Sequence, residues 1–403
     1  MLAGMTDPRS QMDLFGAPAA PATAPRGRGA RSNPPVRYES LRREAFDDGW
    51  GEDPPPRQLR TEVSEERPRR IITRNHSPDV PFDRSINPYR GCEHGCIYCF
   101  ARPTHAYLGL SPGLDFETRL IARPDAARRL AEELRRPGYR VAPIAIGTNT
   151  DPYQPLERQR GIMRAILTVL RDHRHPVTIV TKGAGIVRDA DILGEMGRAG
   201  LARVAVSLTT LDNRLSRAME PRAAAPAARL RAIAGLARQG CPVGVLVAPV
   251  IPGLNDHEIE RLIAAAAGAG ASFGGHIVLR LPLEVRDLFR EWLQAEFPAR
   301  AGRVMRLVRE LHGGRDYDPE WGRRLTGQGT HAALIARRMA LALRRHRLDR
   351  RQPPLRTDLF RIPPRAGDQL SFAALLTSPD QPSPDPASRN SITTPPTTPA
   401  TRL

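Results

Sequence analysis

Short apolar runs alternate with longer amphipathic segments through the middle of the chain. The short runs have the length and β-branched content of buried strands, and the longer segments repeat apolar residues at helical spacing. The predicted strands are 70–73, Ser85–Tyr89, Pro143–Gly147, Val177–Thr181, Arg203–Leu208, Val243–Ala248 and Ile277–Arg280. The predicted helices are Pro124–Arg136, Glu157–Arg171, Asp189–Ala199, Ala223–Gln239, Asp256–Gly268, Leu283–Phe297, Arg303–Leu311 and His331–Arg345.

This alternation predicts an α/β fold with a parallel sheet and right-handed crossovers, because parallel neighbours need a helix between them. Six strands form the series, counted from the one that leads into the cysteines. We therefore expect a partial (β/α)6 TIM-like barrel over residues 67–300. The helices of residues 301–349 are expected to form a C-terminal helical extension that packs on the barrel.

The two ends of the chain have a different composition. Residues 1–66 are rich in proline and arginine and show no sustained apolar period, and residues 350–403 are rich in proline, serine and threonine. Such segments bury too little apolar surface to offset the entropy of ordering, so we expect disordered N- and C-terminal tails. The basic stretch Arg26–Pro34 is read as part of a flexible tail rather than as a wrap around the domain.

The formal charge of +18 leaves two interpretations open. It indicates either contact with nucleic acid or a solvated arginine-rich surface, because Lys182 is the only lysine among 61 basic residues. With only four cysteines, three of them clustered, the chain fits a reducing, cytoplasmic location. The most apolar run, Val243–Ile251, is too short to cross a bilayer, so no membrane partner is expected.

Three of the four cysteines, Cys92, Cys96 and Cys99, fall within eight residues. An odd number of thiols at such short spacing cannot form a disulfide framework, so the pattern favours a shared metal centre. Three thiolates suit a cubane iron–sulfur cluster with one iron left open. The alternative is zinc, for which His94 or His105 would supply a fourth ligand.

Polar residues follow the predicted strands, where a barrel places its reactive groups. Thr148–Tyr153 follows the second strand of the series, Lys182 the third, Ser207 ends the fourth, and Pro249–Asp256 follows the fifth. The competing interpretation is turn and capping chemistry, since Asn, Asp, Ser and Gly favour both. For Asp256 we expect a capping role.

The cysteine loop resembles the signature of the radical S-adenosylmethionine superfamily, C-x3-C-x-aromatic-C, which Cys92, Cys96, Tyr98 and Cys99 match. The flanking stretches Asn87–Cys92 and Thr150–Tyr153 resemble the spore photoproduct lyase-like branch of that superfamily, and the resemblance covers about residues 70–345.

The resemblance implies a 4Fe-4S cluster on Cys92, Cys96 and Cys99, with S-adenosyl-L-methionine on the open iron and a one-electron donor such as flavodoxin or ferredoxin. Reductive cleavage would then give a 5′-deoxyadenosyl radical that acts on an unknown substrate. The cofactor-contacting residues that it implies are Tyr98 near the cofactor, Thr148, Asn149, Thr150 and Asp151 at the methionyl amino group, Lys182 at the methionyl carboxylate, Ser207 at the ribose, and Val250 and Leu254 at the adenine.

One departure from the lyase-like pattern limits what the resemblance implies. Photoproduct lyases use a cysteine near the end of the second strand, where this chain has Gly147 and Thr148, and Cys241 lies before the fifth strand instead. Photoproduct repair is therefore not supported. The alternative functions are a non-catalytic iron–sulfur sensor that binds nucleic acid and a zinc-stabilised nucleic-acid-binding module.

Overall fold

A seven-stranded sheet and a three-stranded sheet run through the computed structural model, which describes residues 25–39 and 59–364. The strands are Glu62–Glu65 (β1), Ile72–Arg74 (β2), Arg84–Ile86 (β3), Tyr89–Arg90 (β4), Arg119–Ala122 (β5), Ile144–Ile146 (β6), Val177–Thr181 (β7), Ala202–Ser207 (β8), Val243–Val250 (β9) and Phe273–Val278 (β10). The larger sheet has the order β10-β9-β8-β7-β6-β3-β2, and the smaller has the order β1-β5-β4.

The parallel part of the larger sheet contains six strands, from β3 through β6, β7, β8 and β9 to β10. The remaining strand, β2, pairs antiparallel with β3 at one edge. This arrangement confirms the predicted α/β partial barrel. Its consequence for function is that all six carboxyl ends lie at one edge of the sheet.

Helices connect the parallel strands and cover the sheet. They are Asp115–Thr118 (α1), Ala126–Leu134 (α2), Glu157–Arg160 (α3), Ile162–Asp172 (α4), Ala190–Arg198 (α5), Asn213–Met219 (α6), Pro226–Arg238 (α7), Ile259–Gly268 (α8), Val285–Glu296 (α9), Pro298–Leu311 (α10) and Gly329–Arg345 (α11). None of the helices in the described part of the chain is both long and apolar enough to cross a membrane.

Helix α4 shows how the pattern produces the packing. Its residues Ile162, Ile166 and Leu170 recur every four positions and are all buried, so one face of the helix meets the sheet. The sheet contributes fully buried apolar side chains such as Val204 on β8 and Val247 on β9 to the same core. Each such side chain contributes about 1.5–3 kcal/mol through removal from water.

Several boundaries differ from the sequence-based expectation. The helix predicted over Glu157–Arg171 is broken at Gly161, which adopts φ of +63° between α3 and α4. The last strand, β10, begins four residues before the predicted Ile277–Arg280, because Gly274 and Gly275 interrupt the apolar run that identifies a strand in the sequence. Helix α10 begins at Pro298, whose ring suits a first helical turn. The short β1-β5-β4 sheet and α6, capped by Asp212, were not predicted.

The structure also differs from the expectation of disordered tails. Within residues 1–66 it describes residues 25–39 and 59–66, including a fully buried Ala30 and the strand β1. Beyond residue 349, the Arg356 N–H donates to the Gly200 carbonyl at 3.0 Å, and the Phe360 ring packs on Tyr139. The remaining tail residues, 1–24, 40–58 and 365–403, lie outside the described part of the chain.

Replacing Gly147 with alanine should destabilise the edge of the sheet that carries the polar strand ends. Gly147 has φ of +84°, and a Cβ there would lie 2.0 Å from the Val180 carbonyl oxygen. Gly138 has a similar φ of +75° with open space around it. We expect Gly138→Ala to cost about 1–2 kcal/mol from backbone strain and Gly147→Ala about 1–3 kcal/mol more from crowding. Urea unfolding measures both; equal losses would contradict the crowding argument.

Candidate metal centre and cofactor site

The three clustered cysteines lie on one loop that follows β3 and β4, at the carboxyl edge of the parallel sheet. Cys92 and Cys96 are buried, Cys99 is partly exposed, and all three are free. Gly91 and Gly95, at φ of +74° and +66°, allow the chain to turn tightly between them. The Cys92 N–H donates to the Phe116 carbonyl at 2.9 Å, which ties the loop to α1.

The surroundings of these thiols suit ligands of an iron–sulfur cluster. Burial raises the pKa of Cys92 and of Cys96, while the Lys182 ammonium next to Cys96 favours its thiolate. A bound metal supplies the positive charge that removes such protons. No three His, Cys, Asp or Glu side chains of the described residues converge on a point where one ion could bind. Cluster ligands need no such convergence, because each thiolate binds a different iron.

A buried ion pair holds the cysteine loop from behind. The Arg102 guanidinium pairs with Glu117, and both side chains have no exposed surface. Arg102 Nε donates to the Cys96 carbonyl at 3.0 Å, and its Nη2 donates to the Gly95 carbonyl at 3.2 Å. One side chain therefore fixes the carbonyl groups of the second cysteine and of the residue before it. Sequence reasoning missed this pair, because neither residue lies in the cysteine motif.

Residues 25–34 belong to this site, which differs from the flexible tail expected for Arg26–Pro34. The N–H groups of Gly29 and Ala30 donate to the Glu117 carboxylate at 2.9 and 2.8 Å. A Cβ on Gly29 would lie 1.8 Å from the Gly95 carbonyl oxygen, so the two backbones are in direct contact. The Arg28 guanidinium donates to the Glu117 carbonyl at 2.8 Å. The segment thus packs on the back of the cysteine loop.

The residues after β6 divide into two groups. Thr150 Oγ1 donates to the Tyr89 carbonyl at 2.8 Å, and Asp151 accepts from Thr181 Oγ1 at 2.6 Å and from the Lys182 N–H at 2.7 Å. These side chains have partners inside the protein, where the resemblance had implied cofactor contacts. Thr148 and Asn149 are half-buried and make no side-chain hydrogen bond within the described residues, which leaves them available to a ligand.

His94 and Asp151 link the cysteine loop to the end of β6. His94 Nδ1 lies 3.4 Å from Asp151 Oδ2. Burial alone would raise the pKa of Asp151, but His94 and the hydrogen bonds from Lys182 and Thr181 outweigh burial and lower it. Asp151 therefore stays ionised and fixes the backbone N–H of Lys182 and the side chain of the preceding Thr181.

Lys182 faces the cysteine loop as predicted from its strand end. Its Nζ lies 5.7 Å from the centroid of the Tyr98 ring. Among the described residues its ammonium group has neither a hydrogen bond nor an ion pair. Burial lowers the pKa of Lys182, but Cys96 and Glu220 raise it by more, so the side chain stays charged. A half-buried, unpaired ammonium group at this edge is suited to an anionic ligand group.

The remaining predicted contacts are more deeply buried. Ser207 is 1% exposed, and its Oγ donates to the Ala248 carbonyl at 3.0 Å, so only its acceptor capacity is left for a ligand. Val250 packs in the main core of the sheet. Leu254 packs in a second apolar cluster that also contains Cys96 and Tyr98, which places it next to the cysteine loop.

A second buried charge network lies beside Tyr98. The Glu220 carboxylate accepts hydrogen bonds from the Tyr98 hydroxyl and from Thr209 Oγ1, and it forms an ion pair with Arg229. Burial alone would raise the pKa of Glu220, but Arg229 and Lys182 outweigh it and lower the pKa to about 2. The network fixes the Tyr98 ring against Lys182. Glu220 and Arg229 carry no sequence signature, and sequence reasoning missed both.

Asp256 was expected to cap the helix before Ile259, and the structure differs. The Asp256 carboxylate accepts from the Gly253 N–H at 3.0 Å and lies 3.3 Å from His331 Nε2. Helix α8 has no side-chain cap. Asp256 therefore stabilises the turn after β9 instead.

Glu117→Gln should weaken both the fold and the retention of iron. The substitution leaves the Arg102 charge buried and unpaired, which costs about 3–5 kcal/mol. We expect unfolding by urea at lower concentration and less iron per chain after anaerobic reconstitution. Glu132→Gln is the matched control, because Glu132 pairs with Arg128 and Arg129 at the surface, where such pairs contribute about 0–1 kcal/mol. Similar losses in the two variants would contradict the positioning role of Glu117.

The Glu220 network predicts a pH dependence of stability. The pKa of Glu220 in the folded protein, about 2, lies below its ordinary value of 4.5. The stabilisation that the ionised carboxylate gives to the fold is therefore complete above pH 4.5 and is lost as the pH falls towards 2. The contribution is about 3 kcal/mol at neutral pH. Glu220→Gln removes it, and the difference in unfolding free energy between wild type and variant should narrow below about pH 4.5. Urea unfolding from pH 7 to pH 3 measures this; a constant difference would contradict it.

Comparison with known proteins gives a family match and relatives. The model of the Radical SAM superfamily matches residues 86–266. An uncharacterised protein of Mycobacterium tuberculosis is 36% identical over 291 residues, which cover 71% of this chain and 82% of that protein. An uncharacterised protein of Methanocaldococcus jannaschii is 25% identical over 214 residues, which cover 53% of this chain and 76% of that protein.

Solved structures of spore photoproduct lyase share the fold. The complex of that enzyme with dinucleoside spore photoproduct aligns with a TM-score of 0.50 at 16% identity, over 70% of this chain and 79% of that chain. A mutant of the same enzyme aligns with a TM-score of 0.50 at 17% identity, over 71% and 79% of the two chains. From the matching family model and the extent of the sequence relationship, this chain belongs to the radical SAM superfamily.

Proposed function

We propose that the protein is a radical S-adenosylmethionine enzyme that holds a 4Fe-4S cluster through Cys92, Cys96 and Cys99. The observation that carries the proposal is the cysteine loop itself. Its three free thiols lie at the carboxyl edge of the parallel sheet, next to the unpaired ammonium group of Lys182. When bound, such a cluster supplies the electron that cleaves S-adenosylmethionine to methionine and a 5′-deoxyadenosyl radical, which takes a hydrogen atom from the substrate.

The residues around the loop would bind and orient the cosubstrate. Lys182 meets the methionyl carboxylate, since its ammonium group has no partner among the described residues. Thr148 and Asn149 face the methionyl amino group, and Ser207 accepts from a ribose hydroxyl. Leu254 excludes water from the adenine side as part of the apolar cluster that contains Tyr98. Tyr98 is held in place by Glu220 and limits where the cosubstrate can lie.

The lesion chemistry of the lyase structures is not part of the proposal. The end of β6 carries Gly147 and Thr148, and no cysteine lies there. Cys241 precedes β9, at the opposite edge of the sheet from the cysteine loop, and burial raises its pKa to about 12. A buried, protonated thiol at that distance does not serve hydrogen transfer at the cluster edge. The electron donor in the proposal is a small protein such as flavodoxin or ferredoxin.

The test is anaerobic reconstitution followed by reduction in the presence of S-adenosylmethionine. We expect iron and sulfide to be retained and 5′-deoxyadenosine to form. Alanine at Cys92, Cys96 or Cys99 should abolish both results, whereas Cys241→Ala should preserve them. Lys182→Ala should retain the cluster and reduce 5′-deoxyadenosine formation about tenfold or more, because a charge-assisted contact to the carboxylate is lost.

Other outcomes point to other functions. A protein that retains the cluster but forms no 5′-deoxyadenosine would be an iron–sulfur sensor rather than an enzyme. A protein that binds zinc and no iron would be a zinc-stabilised module, and either result contradicts the proposal.

A further inference from the structure

Arg280 lies beside the cysteine loop and has no role in the site described so far. It follows β10 by two residues, so it lies at the same edge of the sheet as the cysteines. Its guanidinium carbon is 4.2 Å from the centroid of the Phe100 ring, and Phe100 directly follows Cys99. Phe100 is 41% exposed, and Cys99 is the most exposed of the three clustered cysteines. This is the side of the loop that is open to solvent.

The charge of Arg280 is not matched within the described residues. Its guanidinium group makes neither an ion pair nor a hydrogen bond there, although burial is strong enough to lower its pKa. The fully buried Arg102 and Arg229 each pair with a glutamate, whereas the half-buried Arg280 does not. The neighbouring Arg324 pairs with Asp79. Because a guanidinium group carries five donors in a fixed plane, an unmatched one in a recess is suited to bidentate contact with an oxyanion.

A cavity of about 570 Å³ begins at Leu281, the residue after Arg280, although Arg280 itself is not part of its lining. Leu281, which follows Arg280, and Tyr317, which contributes to the electrostatic environment of Arg280, both line the cavity. Its three acidic residues are already matched: Glu284 by Arg37, Asp287 by Arg286, and Asp316 by two arginines. The cavity therefore has room for a small molecule or for part of a larger one, and it reaches the chain at the residue that follows Arg280.

We propose that Arg280, oriented by the Phe100 ring, binds an anionic group of the substrate beside the cluster, and that the adjacent cavity holds the rest of that substrate. The group is a phosphate or a carboxylate, since both match the guanidinium edge. In the proposed function Lys182 binds the carboxylate of the cosubstrate. Arg280 is therefore the cation that binds the anionic group of the substrate. The inference rests on the proposed function for the identity of the reaction, but the anion site itself requires no radical chemistry.

The test uses the full-length, cluster-loaded protein with S-adenosylmethionine present to occupy Lys182, and two simple probes, inorganic phosphate and ¹³C-labelled acetate, at constant ionic strength. Binding is followed by the ³¹P and ¹³C linewidths of the probes. Arg280→Gln should weaken binding of the preferred probe about tenfold or more, as expected for loss of a charge-assisted contact. Arg303→Gln is the matched control, because Arg303 is exposed on α10 and has no partner among the described residues. It removes the same charge and should leave binding unchanged.

Each outcome decides something about the site. Broadening of phosphate alone identifies a phosphate on the substrate, and broadening of acetate alone identifies a carboxylate. Equal effects of the two substitutions, or no broadening with wild type, overturn the proposal. A shift in the cluster potential in Arg280→Gln without loss of probe binding also overturns it, since Arg280 would then only balance the Cys99 thiolate. Formation of 5′-deoxyadenosine without substrate tests the proposed function separately in the same samples.

Discussion

The buried Arg102–Glu117 pair is the interaction on which the candidate site depends most. It joins three parts of the chain that are distant in sequence: the cysteine loop through its carbonyl groups, α1 through Glu117, and the segment around Gly29 through two backbone N–H groups. A buried ion pair is stable only when its remaining donors and acceptors are satisfied. Here the carbonyls of the loop accept from Arg102, and the N–H groups of residues 29 and 30 donate to Glu117. The ion pair is therefore fully hydrogen-bonded only when the cysteine loop is in its folded position.

The charges at the carboxyl edge of the sheet fall into two classes. Arg102 and Arg229 are buried with carboxylate partners and position other groups, the first the cysteine loop and the second Tyr98 by way of Glu220. Lys182 and Arg280 have no carboxylate partner among the described residues. Since a matched charge contributes to the fold and an unmatched one is left for a ligand, this division separates supporting residues from the proposed binding residues better than position along the strands does.

The strand ends show how the two classes arise. Asp151 and Lys182 are both polar residues at the ends of adjacent parallel strands, and both were expected to contact the cosubstrate. The Asp151 carboxylate accepts the backbone N–H of Lys182, so it fixes the backbone from which the lysine side chain projects. The Asp151 carboxylate has its partners inside the protein, whereas the Lys182 ammonium group has none among the described residues, and the distinction depends on the direction of a side chain. A sequence pattern does not contain that direction.

The sequence by itself determined the six-strand α/β series, the loop with Cys92, Cys96 and Cys99, and the placement of Lys182 near it, because apolar periodicity and motif spacing are local properties. Only the tertiary structure decided that residues 25–34 pack on the cysteine loop, that Glu117 and Glu220 hold the two buried arginines, and that Arg280 is left unmatched within the described residues. The physical reason is that these contacts join residues that are far apart in the sequence. Glu117 and Gly29 are 88 residues apart, and their contact is favourable only after the sheet has brought both to one place.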